Sequence, residues 1–122
     1  MKAVKFAFAL LIICLAAVIT NSLVLRSIIT DLTERVESAE EKNADVALRE
    51  FEEIYRYYQK KLTYISLTVN HQDLTSIDES FTEIIGAAKA KDMDTLLTIK
   101  SRLIGALTHL KRLSGINIDS IF

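Results

Sequence analysis

Apolar positions along the chain fall into two regimes. From Val4 to Leu25 they are nearly continuous, and Phe6–Ile19 is a run of 14 residues without one polar side chain. After Leu25 they recur every three or four positions, the mark of helices with one buried side. A bilayer core about 30 Å thick needs roughly 20 mainly apolar residues in helical form. Val4–Leu25 meets that length, with Thr20, Asn21 and Ser22 near one interface. Leu25, Ile28 or Ile29, Leu32, Val36 and Ala39 follow in helical phase, which predicts that one helix leaves the membrane and enters water without a break.

The later pattern predicts three more helices. Helix one runs to about Glu41 and carries an acidic outer face of Asp31, Glu34, Glu37, Glu40 and Glu41. Asn43 is the expected N-cap of helix two, whose inner side is Ala47, Leu48, Phe51, Ile54, Tyr55, Tyr58, Leu62, Ile65 and Val69. That helix is expected to end near Asn70 and His71, where His71 would meet the partial negative charge of a helix C-terminus. Helix three begins after Asp73 or Thr75, or at a capping box of Ser76 and Glu79, and buries Leu74, Ile77, Phe81, Ile84, Ile85 and Ala88. Ala90, Lys91 and Asp92 make the next turn, with Asp92 as N-cap. Helix four uses Met93, Leu96, Leu97, Leu103, Ile104, Leu107 and Leu110, with Leu113 near its end. Gly115 is placed to stop it, leaving Ile116–Phe122 as an extended strip docked on the bundle. Short connections make successive helices antiparallel. The fold expected is all-α: an N-terminal transmembrane helix continuing into an up-down bundle of about four helices, as two helical hairpins. Residues 1–25 form the anchor and 26–122 the bundle domain with its short tail.

Composition narrows the picture. The chain has no Pro and no Trp and only three Gly, which favours long helices. Beyond Leu25 there are 13 Lys and Arg against 16 Asp and Glu, so the domain presents no bulk field for nucleic acid. Cys14, the only cysteine, lies inside the apolar run, which excludes a disulfide framework or thiolate metal site within one chain. Ile13 precedes it where a lipid-modified cysteine wants a small residue, so Cys14 reads as apolar filler.

The apolar run also has the size of a signal-peptide core behind Lys2 and Lys5. Its only tolerable cleavage sites are Cys14-Leu15-Ala16 and Thr20-Asn21-Ser22, both poor, and the helical phase carries on past them. An uncleaved anchor is therefore expected. Lys2, Lys5 and the terminal amine before the run, against Arg26 and mostly acids after it, put the N-terminus inside the cell membrane and the domain outside.

An offset of 49 residues relates Ile28 to Ile77, Leu32 to Phe81, Val36 to Ile85, Ala39 to Ala88 and Leu48 to Leu97. Lys42 with Lys91 and Asp45 with Asp94 extend it, as two related hairpins would. A membrane helix, a long helix, His71 before a turn leading to Ile77, the Ala-Lys-Asp turn and a closing Asn-Ile-Asp-Ser-Ile-Phe together resemble the bacterial family catalogued as domain of unknown function 4363. The resemblance covers nearly the whole chain. It implies the membrane-anchored layout, and because that family has no established activity it implies no substrate.

Candidate chemistry is sparse. Metal or acid-base work needs convergent His and carboxylates, and only His71 and His109 exist. No phosphate loop, nucleophile elbow or HExxH pattern occurs, so no catalytic, cofactor or metal site is expected and the chain reads as a non-enzyme. The one unusual cluster is aromatic and basic. Tyr57 and Tyr64 share a side of helix two with Lys60 and Lys61, a possible partner-contact strip, while Tyr55 and Tyr58 belong to the core side. Lys100, Arg102, Lys111 and Arg112 of helix four are available to pair with the acidic side of helix one. The function expected is an interaction or scaffold module held outside the membrane. Its partners are the lipid bilayer through the first helix, and another protein or a second copy of the chain. Nucleic acid is excluded and a small-molecule ligand is disfavoured. The alternative is a ligand-sensing module signalling through a partner membrane protein.

Overall fold

In the computed structural model the backbone is described for residues 1–67 and 69–121, and the side chains for residues 1–67 and 69–113. Four helices follow one another: α1 (Lys2–Ser38), α2 (Ala44–Ser66), α3 (His71–Lys89) and α4 (Met93–Ile121). Among the described residues there is no strand.

α1 has 37 residues, about 55 Å at the helical rise. It is long and apolar enough to cross a membrane. Its first half stands clear of the other helices, with Val4 and Phe6 each 72% exposed. From Ser22 onward it turns one side inward at Ser22, Leu25, Ile29, Leu32 and Val36. The expected continuity is therefore present: one helix changes its surroundings without changing its backbone.

α1 packs on α2, α2 on α3, α3 on α4, and α4 closes the ring onto α1. This is the up-down bundle that the short connections imply. Phe51, Ile54, Tyr58 and Ile65 of α2 meet Leu74, Ile77, Phe81 and Ile84 of α3 and Leu96, Leu103 and Leu107 of α4 in one buried core. Aromatic rings fill its middle, with Phe81 at 5.3 Å from Tyr55 and 5.2 Å from Tyr58 between centroids, within the range of favourable ring contacts.

The corners are built by caps. α1 stops at Ser38, three residues before the expected Glu41, because Ala39 turns extended with ψ of 149°. Glu40 and Glu41 thus leave the helix face assigned to them. The Glu40 carboxylate accepts from the Lys42 and Asn43 amides at 3.0 and 3.3 Å. Its own amide donates to Glu50 at 2.7 Å. Asn43 caps α2 as expected, accepting from the Asp45 and Val46 amides at 3.1 and 3.2 Å. Beneath this corner lies Lys100, only 4% exposed. Its ammonium donates to the Glu37 and Ala39 carbonyls at 3.0 and 3.1 Å and to the Glu41 carboxylate at 2.6 Å. Those carbonyls belong to a helix end that has run out of backbone partners. Lys100 does pair with an acid of the first helix region, but as a buried cap and not as a surface ion pair.

The α3–α4 corner is a Schellman turn. The Asp92 amide donates to the Ala87 carbonyl at 2.9 Å and the Lys91 amide to Ala88 at 3.1 Å, the two bonds that define the motif. Lys91 occupies its left-handed position with φ of 59°. Asp92 then caps α4, accepting from the Thr95 amide and hydroxyl at 3.2 and 2.6 Å. The two hairpins thus have caps, Asn43 and Asp92, separated by the same 49 residues as the apolar matches.

Three expectations need correction. α2 ends at Ser66, and Asn70 accepts from the Gln72 amide at 2.8 Å to start α3 at His71. His71 therefore opens a helix, where the partial charge is positive, and the capping box at Ser76 is absent because the Ser76 hydroxyl donates to the Gln72 carbonyl at 3.3 Å. On α4 the buried series is Leu96, Ile99, Leu103, Leu107 and Leu110, so Ile99 at 3% takes the place expected of Leu97, which is 40% exposed. Leu97 lies one residue, about 100°, off that face. Finally, α4 does not stop at Gly115; its backbone stays helical to Ile121, so Ile116–Ile121 is not an extended strip. An interior glycine costs a helix only about 1 kcal/mol. The docking of the tail's side chains and of Phe122 lies outside the described residues.

Two substitutions test the corners. Lys100→Met removes the cap of α1 and leaves two carbonyls without their donor, so chemical denaturation should register a loss of about 2–4 kcal/mol. Lys91→Gly relieves a side chain in the left-handed region and should raise stability by about 1 kcal/mol in the same assay.

Candidate functional site

Tyr57 and Tyr64 lie on the side of α2 that turns toward α1, a consequence of their spacing of seven residues, close to two helical turns. Neither is free. The Tyr64 hydroxyl donates to the Asn21 carbonyl at 3.3 Å. The Arg35 guanidinium stands 4.1 Å from the centre of the Tyr57 ring, and the Lys61 ammonium 5.7 Å from it. Both tyrosines are half-buried against the core. Lys60 is exposed and borders a separate depression with Arg35 and Arg56. The strip expected on α2 is thus divided: Tyr57 and Tyr64 fasten α2 to α1, while Lys60 and Lys61 flank that seam.

Around Tyr57 the charges are ordered. Arg35 donates to Asp31 at 3.2 Å, one turn back on α1. With the two side chains 47% and 43% exposed, that pair contributes only about 0.3–0.5 kcal/mol. The Tyr57 hydroxyl is the largest influence holding the Asp31 carboxyl below its ordinary range, with Arg35 reinforcing it against partial burial. Burial, and then the Asp31 carboxylate, push the Tyr57 phenol upward. The two shifts agree, since a neutral hydroxyl beside an ionised carboxylate suits both.

Asp31 and Tyr57 are two walls of an open groove of about 730 Å³ between α1, α2 and α4. Its other polar walls include Arg26 and Glu34 from α1, Lys61 from α2 and Lys111 from α4. Arg26 is the first charged residue after the apolar run, and Lys111 arrives beside it because α4 runs antiparallel to α1. The i, i+4 pair of Asp31 and Arg35 is visible in the sequence. The arrival of Lys111 is not, because it depends on how far α4 slides along α1.

A second groove, about 510 Å³, opens between α2 and α3 and is lined by Tyr58, Leu62, His71, Leu74 and Asp78 among others. The Tyr55 hydroxyl donates to Asp78 at 2.6 Å and the Tyr58 hydroxyl to the Leu74 carbonyl at 3.4 Å. Asp78 is the first cause of the raised Tyr55 phenol, and burial that of the raised Tyr58 phenol. His71 lines this groove and His109 is exposed on α4, so the two histidines do not share a site. Among the described residues no group of three His, Cys, Asp or Glu is placed to hold a metal ion.

The phenols give the fold a pH limit. Tyr55, Tyr57 and Tyr58 each hold their proton above the ordinary value of 10.0. The stability they supply is complete below pH 10 and drains away as the pH rises through their folded-state values. An ultraviolet phenolate titration of the folded chain should show part of the absorbance change delayed beyond pH 10, and Tyr58→Phe should shift alkaline unfolding to higher pH.

The chain matches no family model, no curated protein and no solved structure.

Proposed function

We propose that the chain is a single-pass membrane anchor carrying a helical interaction module, with its N-terminus inside and its bundle outside. One observation carries the reading. α1 is a single helix whose exposed apolar half leads directly into a half whose inner side is bundle core. An exposed apolar surface of that size needs a nonpolar environment, and a bilayer is the one its length matches. Lys2 and Lys5 against Arg26 orient it. The chain takes its place in this reading beside the anchored bundles of domain of unknown function 4363.

The module works by contact. Its outer surface offers the charged seam at Tyr57 and the groove between α2 and α3, both open to their surroundings. The partner is another protein or a second copy of the chain. The α2–α3 groove also supports a second reading, a sensor whose ligand sits beside His71 and Asp78 and whose output comes from a partner membrane protein.

Fractionation tests the anchor. The intact chain should remain in the pellet after a carbonate wash, and release into the supernatant overturns the reading. In a Cys14→Ala background, Ser101→Cys on exposed α4 should react in intact cells with a maleimide that cannot cross membranes. Protection of that thiol until lysis reverses the orientation.

A further inference from the structure

The groove at the α1–α2–α4 seam lies at a definite height. The Tyr64 hydroxyl is bonded to Asn21 near the end of the apolar run, so the last turn of α2 is level with the interface. Lys100 is bonded to Glu37 and Ala39 at the far end of α1, while Lys111 shares a groove with Leu23 and Arg26. α4 therefore descends toward the membrane along α1, and Arg26, Lys61 and Lys111 come together from three helices just outside the span.

Among the described residues none of these three cations forms an ion pair. Among the described residues the ion pairs are Arg35–Asp31, Lys100–Glu41 and Arg102–Glu83. Arg26 and Lys111 take part in none, and Lys61 has the Tyr57 ring at 5.7 Å and the more distant charge of Asp31. Of the two acids in the groove, Asp31 is held by Arg35 and Tyr57. Glu34 lies eight residues beyond Arg26, about 12 Å farther from the span at the helical rise. The groove is thus positive on its membrane side and acidic on its far side. At the same end of the bundle Leu67 is an apolar side chain 76% exposed.

Resting on the membrane-anchor reading, we propose that this groove holds the headgroup phosphate of an anionic phospholipid in the leaflet beside the bundle. Arg26 and Lys111 contact the phosphate, Lys61 closes it from α2, and Tyr57 forms the wall behind. The acids above favour entry from the membrane over entry of a free anion from water. The bundle is thereby seated upright on the bilayer and is not left to swing on its tether.

The test uses the full chain reconstituted in phosphatidylcholine vesicles, with or without about one third phosphatidylglycerol. Spin-labelled phosphatidylglycerol and phosphatidylcholine report which lipid the protein immobilises. The wild-type chain should prefer phosphatidylglycerol by about fivefold or more, the scale of one basic residue at an anionic surface. The triple variant Arg26→Gln, Lys61→Gln, Lys111→Gln should lose that preference. Removing three charges at the opposite end, through Lys42→Gln, Lys89→Gln and Lys91→Gln, should leave it intact. Lys111→Gln alone should lower it measurably, which keeps the test valid if the triple variant unfolds. Equal preference in wild type and the groove variants overturns the site, as does abolition of the preference by millimolar inorganic phosphate, which assigns the groove to a soluble anion. A wild-type chain that floats with neutral vesicles yet shows no preference overturns the site and leaves the anchor standing. A chain that floats with neither overturns both.

Discussion

α1 presents two kinds of surface on one backbone. Its first half exposes apolar side chains on every side, which water penalises and hydrocarbon does not. Its second half exposes charge outward and packs Leu25, Ile29, Leu32 and Val36 inward. Because the hydrogen-bond ladder runs unbroken between them, no hinge separates the apolar half from the bundle. The tilt of one is then the tilt of the other. Every other helix is placed relative to this rod, directly for α2 and α4 and through them for α3.

A long rod needs a clean end, and the sequence at Ser38–Asn43 supplies it through charge. Two carbonyls and five amides at this corner are met by side chains of Glu40, Asn43, Glu50 and Lys100. Lys100 does the deepest part. A buried ammonium is tolerated only when its donors are used, and here all three point at oxygen. The same side chain ties α4 to the end of α1, so the cap also sets how α4 is positioned along α1. The second hairpin solves its corner by backbone geometry instead, with Lys91 in the left-handed region. The different solutions suit the different tasks, since only the first corner must also hold a distant helix.

Helix number, order and the main buried positions were legible because they depend on period and on two good caps, Asn43 and Asp92. The N-terminal rod was legible from composition alone. Ends governed by competition were not. Asn70 looked like the close of α2 but caps α3, since an amide side chain reads the same on either side of a turn. Gly115 looked like a stop, yet a glycine ends a helix only where the following chain folds back. The charge of Lys100 makes it available for pairing with helix one, but its burial depends on carbonyls 63 and 61 residues away in sequence. On the candidate strip, the common side of Tyr57 and Tyr64 was legible. That this side faces α1 was not, because helix period gives a face and leaves its neighbour unnamed.

Topology decides which residues share an end of the bundle. In an up-down ring entered through its first helix, the far corners collect the α1–α2 and α3–α4 turns. The near end collects the close of α2, the start of α3 and the descent of α4. Residues from distant parts of the sequence are therefore brought to one height by construction. A basic residue on any of them costs little while it faces water and gains when it faces phosphate. The acids of α1, by contrast, are spaced away from the apolar run, beginning at Asp31. This separation along a single rod polarises the bundle from the end nearest the apolar run upward, and it does so without any net charge on the chain beyond −1. Net charge is consequently the wrong quantity for this protein; the position of each charge along α1 is what its surroundings read.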